Sequence, residues 1–182
     1  MAAPDRIDHL EKIFALSEDL EKRGMVPVMV GGIALVILGS QRVTKDFDFL
    51  VSLKDLPVDE MVSVFYDHGF ELVTKFNKEG EVVRTVDNPR VAALKLRSDL
   101  PDSLFFFNWG TRLKVDLLLD FPLPAREIAV RSDKVKIKGH SIRVASQSDL
   151  IRLKEIAYAD RKSASDAQDL EFLKRLSRKR RT

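Results

Sequence analysis

The sequence predicts an α+β fold, a mixed β-sheet with flanking helices rather than a regular doubly wound array. Three observations carry this. Apolar residues recur at helical spacing near the N-terminus and again after residue 146. Short apolar segments broken by Gly, Pro and Asn fill the middle. The resulting order is helix, strand, helix, strand, helix, several strands, then two helices, which does not alternate as parallel βα units would.

In the first helix, residues 6–23, Ile7, Leu10, Ile13, Phe14 and Leu20 form the apolar face, with Asp5 as N-cap and Gly24 as stop. Residues 27–30 read as a short buried strand, Gly31-Gly32 breaks it, and residues 33–38 form a helix ended by Gly39. Residues 45–51 are the next strand, which puts Asp46, Asp48 and Leu50 on one face and Phe47, Phe49 and Val51 on the other. Pro57 opens a helix that runs to His68, and Gly69 closes it. Three strands are expected at 71–76, 81–86 and 91–96. Segments 104–109 and 112–119 flank Gly110-Thr111 as one hairpin, and 135–137 and 141–144 flank Gly139-His140 as another. Ser146 caps a helix over 149–159, and a last helix covers 165–177. Residues 1–145 thus read as a core with an N-terminal helix, and 146–182 as C-terminal helices and a basic tail packed on it in one structural domain.

Composition narrows the function classes. The 182 residues are 45% hydrophobic and 32% charged, as in ordinary globular proteins. With no cysteine, a disulfide framework, a thiolate nucleophile and a cysteine zinc site are excluded. The longest apolar run, Ile33 to Leu38, is far too short to span a bilayer, and acidic Asp5, Asp8 and Glu11 stand where an export signal needs basic and apolar residues. A cytoplasmic location without membrane contact is the expectation. The net charge of +3 is a property of the last nine residues: Lys174, Arg175, Arg178, Lys179, Arg180 and Arg181 lie there, and without them the body carries −3. Such a tail is either an RNA-phosphate contact or a solvated helix end.

Chemistry concentrates in a few places. A glycine pair between strand and helix lets the backbone approach a ligand closely, and the helix N-terminus beyond it offers free N–H groups to an anion. Asp46 and Asp48, two residues apart on an otherwise apolar strand, need a compensating cation, and hard carboxylate oxygens suit Mg²⁺ or Mn²⁺. A third carboxylate comes from the run 114–120, in which Asp116 sits mid-strand and Asp120 stands at its end, next to Phe121-Pro122. Three carboxylates hold two cations, or one cation plus a general base, as in-line displacement at phosphorus requires. Arg42 and Thr44 precede the carboxylate strand as candidates to orient a nucleotide. Lys154 is either a triphosphate contact or a solvated lysine. His9, His68 and His140 are scattered and are not expected to be ligands. Trp109 and Phe105 to Phe107 fit a buried strand better than a base-stacking platform.

The run from Gly31-Gly32 through Gly39-Ser40, Arg42, Thr44, Asp46 and Asp48 resembles the first motif of the nucleotidyltransferase superfamily, in particular the AbiEii-type and minimal nucleotidyltransferases. Lys154, Arg161, Lys162, Asp166 and Asp169-Leu170 are similar to the helical signature of the same group. The resemblance implies a polymerase-β-like nucleotidyltransferase fold with a C-terminal helical segment. It also implies an enzyme that moves an NMP from an NTP to an acceptor, with Mg²⁺ or Mn²⁺ as cofactor. It places the nucleotide on Gly31, Gly32, Ser40, Arg42, Thr44 and Lys154, and catalysis and metal on Asp46, Asp48 and Asp116. Since relatives include toxins, it further implies RNA as an acceptor and a cognate antitoxin as a partner. Two departures stand out: Gly32 is followed by Ile33, so the family's serine comes only at Ser40, and the Arg161–Asp166 spacing is long. The alternatives are a non-catalytic nucleotide- or partner-binding module of the same fold and a small-molecule, antibiotic-type adenylyltransferase. A dinucleotide oxidoreductase is disfavoured, because no Gly-x-Gly-x-x-Gly follows the first strand.

Overall fold

The computed structural model describes residues 9–179. The first helix, α1 (His9–Lys22), leads into β1 (Val28–Val30), α2 (Gly31–Ile37), β2 (Asp46–Val51) and α3 (Val58–Asp67). Then come β3 (Glu71–Phe76), β4 (Val82–Val86), α4 (Pro89–Ser98), β5 (Ser103–Phe107) and β6 (Lys114–Leu119). The chain continues with α5 (Ala125–Arg131), β7 (Asp133–Ile137), β8 (His140–Val144), α6 (Gln147–Arg161) and α7 (Ala164–Lys179). The expected N-cap Asp5 and the end of the basic tail, Arg180 and Arg181, lie outside the described residues.

All eight strands form one mixed sheet in the order β4-β3-β5-β6-β2-β1-β8-β7. Its centre is the parallel pair β2–β6, in register from Asp46 opposite Lys114 to Val51 opposite Leu119. β1 is antiparallel to β2, with Val30 opposite Asp48, and β5 is antiparallel to β6, with Phe105 opposite Asp116.

Strand periodicity divides the sheet into two unlike faces. Phe47 and Phe49 of β2, Val115 and Leu117 of β6, and Leu104 and Phe106 of β5 point into the core. There they join Phe14 and Leu20 of α1, Val62 and Phe65 of α3, and Ala92 and Leu96 of α4. The Phe65 and Phe106 rings stack with centroids 4.0 Å apart. The opposite face carries Asp46 and Asp48, Lys114 and Asp116, and Phe105 and Phe107.

Three expectations need correction. Residues 91–96 are not a strand but the heart of α4. The Asn88 side chain accepts from the backbone N–H groups of Arg90 (2.9 Å) and Val91 (3.2 Å), and Pro89 fills the first turn, where its missing N–H costs nothing. Ala92, Ala93 and Leu96 then fall on one buried helical face, a three–four spacing that the run Val-Ala-Ala-Leu hides. The helix after β1 starts at Gly31 rather than Ile33. Helix α5 was not anticipated; Asp120 holds its start by accepting from the Ala125 N–H at 2.9 Å and from Ser52 Oγ at 2.7 Å.

The capping geometry at Asn88 yields a test. Asn88→Ala should lower unfolding free energy by about 1 kcal/mol in urea denaturation, the usual worth of an N-cap side chain. Asn88→Asp should retain most of it.

Candidate functional site

A cavity of about 690 Å³ opens on the polar face of the sheet. Its floor holds Gly31, Gly32, Asp46, Asp48 and Asp116, with Arg42 and Thr44 at one side. Phe105, Leu118 and Phe121 form an apolar wall beyond Asp116, and Leu153, Lys154 and Ile156 of α6 form the facing wall. Eight of the nine residues singled out in the sequence therefore line one space. The ninth, Ser40, does not: its Oγ accepts from the Arg42 N–H at 3.4 Å and shapes the loop that delivers Arg42.

Backbone register brings the carboxylates together. Asp48 and Asp116 are direct partners across the parallel β2–β6 ladder, so their side chains leave the same face side by side. Asp46 follows on that face two residues earlier. Gly31 makes the room. Its φ of +65° is in the left-handed region, and a Cβ there would overlap the Asp48 carboxylate. A Cβ on Gly32 would stand 3.1 Å from both Arg42 Cζ and Thr44 Cβ. The glycine pair thus serves the packing of Asp48, Arg42 and Thr44 against the turn.

Two adjacent carboxylates in a partly dry site are electrostatically unfavourable. Burial raises Asp48 above the ordinary carboxylate range, and the charge of Asp46 adds to it; Lys154 and Lys114 act in the other direction. Burial, then the Asp48 charge, pushes Asp116 up to about 7. The two carboxylates therefore resist being ionised together. Asp116 Oδ1 is buried without a hydrogen-bond partner. Asp116 keeps 16% of its side chain exposed and Asp46 keeps 51%.

A buried carboxylate oxygen without a hydrogen bond, beside a second carboxylate, is the donor set a divalent cation takes. Among the described residues no three or more His, Asp or Glu side chains form a preassembled metal cage. Mg²⁺ fits such an arrangement, because it is usually held by one or two carboxylates together with substrate phosphates. A lysine that sequence reasoning passed over takes up part of the charge. Lys114 Nζ lies 3.5 Å from Asp46 and 3.7 Å from Asp116. Its signal was its position two residues before Asp116, on the same strand face.

The C-terminal helices lock onto this floor through ion pairs. Lys154 is neither a solvated lysine nor free to extend: Nζ is 2.7 Å from Asp169 and 3.1 Å from Asp166, and only 13% of the side chain is exposed. Asp169 also pairs with Arg42, and Asp166 with Arg161 at 3.1 Å. Burial would raise Asp166, but hydrogen bonds from Lys154 and Ser163 and the nearby cations hold it below the ordinary range. The two α7 aspartates of the sequence signature are therefore buried partners of the cations that reach the cavity.

The other candidates lie elsewhere. His68 pairs with Asp19 at 2.7 Å and His140 with Glu18 at 2.9 Å, while His9 opens α1. Phe106 and Phe107 are buried and Phe105 borders the cavity. Trp109 corrects the core reading: it is 44% exposed, one residue past Asn108 and outside the strand.

With this geometry in hand, the family described as "Nucleotidyl transferase AbiEii toxin, Type IV TA system" matches residues 13–181. The chain belongs to the AbiEii nucleotidyltransferase family. It is accordingly a nucleotidyltransferase, and the paired aspartates, third aspartate and glycine pair sit at its cavity. No curated protein matches the sequence significantly. Solved structures share the fold. The lincosamide antibiotic adenylyltransferase LnuA, bound to lincomycin, is 11% identical with a TM-score of 0.56 over 91% of this chain and 96% of its own. The antibiotic-resistance factor ANT(2'')-Ia is 11% identical with a TM-score of 0.56 over 90% and 80%. A putative nucleotidyltransferase from Thermotoga maritima is 13% identical with a TM-score of 0.51 over 87% and 92%. Among the described residues no helix is long and apolar enough to cross a membrane.

The Asp48–Asp116 pair predicts a pH signature. Because Asp116 is raised in the folded state, its burial favours folding only while it is protonated. That contribution is complete below the unfolded carboxylate value near 4 and is lost as pH rises to about 7. Asp116→Asn should therefore raise the melting temperature of the ligand-free protein, by an increment that grows between about pH 4 and 7 and is level above. A constant increment across that range would contradict the raising of Asp116 by burial and the Asp48 charge.

Proposed function

We propose that this AbiEii-family enzyme transfers a nucleoside monophosphate from an Mg²⁺–NTP complex to an acceptor hydroxyl, with Asp46, Asp48 and Asp116 at the reacting centre. The observation that supports this most is the β2–β6 register, which sets Asp48 beside Asp116 on the face that carries the cavity. Arg42, Thr44, Lys154 and the Gly31-Gly32 turn border the nucleotide's side of this floor. The turn's backbone and Thr44 meet the triphosphate, while Arg42 and Lys154, held by Asp169 and Asp166, supply the positive potential beside it.

Asp46, Asp48 and Asp116 would hold the cation, which when bound supplies neutralisation of triphosphate charge and of the leaving pyrophosphate. The strand order β1-β2-β6-β5 sets Asp116 on the far side of Asp48 from the glycine turn. An acceptor that attacks opposite the pyrophosphate approaches from that far side. Asp116 takes the hydroxyl proton there as general base. The acceptor oxygen forms its bond to the α-phosphorus, the bond from that phosphorus to the β-bridging oxygen breaks, and pyrophosphate leaves with the electron pair. Lys114, between Asp46 and Asp116, keeps those carboxylates oriented. The family's description as a toxin of a toxin–antitoxin system supports a toxin role with a cognate antitoxin.

Incubation with each α-labelled NTP, Mg²⁺ and total RNA or small-molecule acceptors should transfer label, and Asp46→Ala should abolish it. Mg²⁺–NTP should also raise the melting temperature, by about 2.7 kcal/mol of stabilisation at a hundredfold excess over Kd. Asp48→Asn should lose most of that shift. A wild-type melting temperature unmoved by Mg²⁺ with any NTP would favour a non-catalytic module.

A further inference from the structure

Three carboxylates on one floor can be satisfied by two cations, or by one cation with a base beside it. The place of Lys114 bears on that choice. Lys114 is the register partner of Asp46 across the β2–β6 ladder and precedes Asp116 by one step on the same strand face. Its Nζ stands 3.5 Å from Asp46 Oδ2 and 3.7 Å from Asp116 Oδ1. That Oδ1 is the buried oxygen left without a hydrogen bond. The ammonium is also held in place. It lies over two rings, 5.7 Å from the Phe76 centroid and 5.4 Å from that of Phe105. The rings brace each other edge to face at 5.1 Å, and only 20% of the Lys114 side chain is exposed. Ring faces attract a cation, so rings and carboxylates fix the same nitrogen. The cations of the C-terminal side are engaged elsewhere, Arg42 with Asp169 and Lys154 with Asp166 and Asp169.

We infer that Lys114 takes the place of a second metal ion. The site admits one divalent cation, the one that arrives with the NTP, and the Lys114 ammonium supplies the further positive charge between Asp46 and Asp116. The inference rests on the nucleotidyl-transfer reading above and states its metal stoichiometry. A second Mg²⁺ bridging those two carboxylates would need their oxygens at about 2.1 Å. The same oxygens already face an ammonium at 3.5 and 3.7 Å. The incoming ion would be pressed against a fixed like charge in a partly dry site, where repulsion is weakly screened. The Lys114 charge also counters the upward pull of burial on Asp48 and Asp116. It therefore does for the carboxylates part of what a second ion would do. Activation of the acceptor then rests on Asp116 rather than on a second ion.

The test uses the full chain with a saturating non-hydrolysable NTP. Equilibrium dialysis counts the Mn²⁺ bound per bound nucleotide, and electron paramagnetic resonance reads coupling between neighbouring ions. The wild type should bind a single, uncoupled Mn²⁺. Lys114→Met keeps the stem on the rings and removes the charge; it should bind a pair, with the broadened spectrum of coupled ions. Lys114→Arg keeps the charge and should return the count to the wild-type value. A coupled pair in the wild type would overturn the inference. A single ion in folded Lys114→Met would overturn it as well, because the ammonium would then exclude nothing. Loss of all bound Mn²⁺ in folded Lys114→Met would make Lys114 a scaffold for the carboxylates and likewise overturn it. Lys114→Gln serves the same comparison if Lys114→Met does not fold. Absence of any NTP-dependent Mn²⁺ binding in the wild type would instead strike the underlying transfer reading.

Discussion

Everything at the site depends on one electrostatic constraint, two carboxylates held side by side on neighbouring parallel strands. Asp48 and Asp116 cannot separate without breaking the β2–β6 register, and that register is fixed by the apolar residues alternating with them. Shifting either strand by one residue would turn Phe47, Phe49, Val115 or Leu117 toward solvent. The core therefore forces the carboxylates together, against their mutual repulsion. Gly31 reflects the same constraint from the other side, because only a residue without Cβ leaves Asp48 its place.

Neutralisation is distributed around this pair. Lys114 approaches along β6, whereas Lys154 and Arg42 approach from the side of the C-terminal helices and are themselves tied down by Asp166 and Asp169. Charges of alternating sign radiate from the centre of the sheet into α7, so the last helix is part of the site's electrostatics and not an appendage. Removing one member of such a buried network leaves its partner uncompensated, which usually costs more than the pair contributed. This couples the C-terminal helices to the floor of the cavity through Arg42, which also packs against the glycine turn.

Much of this was legible in the sequence where a local pattern had one physical reading. The i, i+2 aspartates in an apolar strand, the glycine pair and the mid-strand Asp116 marked the floor, and the helix and strand order gave the mixed sheet. What stayed hidden depended on partners distant in sequence. Residues 91–96 look strand-like until the Asn88 cap and the buried face of α4 are seen. Lys154 could not be assigned without Asp166 and Asp169, and Ser40 looked like a phosphate ligand because spacing carries no direction. Trp109 looked like core because alternation was extended two residues beyond the end of β5.

The measurement that bears most directly on the carboxylate constraint is Mn²⁺ binding, followed by electron paramagnetic resonance with a non-hydrolysable NTP present. The wild-type chain should bind Mn²⁺ in an NTP-dependent manner, and Asp48→Asn or Asp116→Asn should each weaken that binding strongly while the protein stays folded. Equal Mn²⁺ binding in the wild type and both variants would contradict the account.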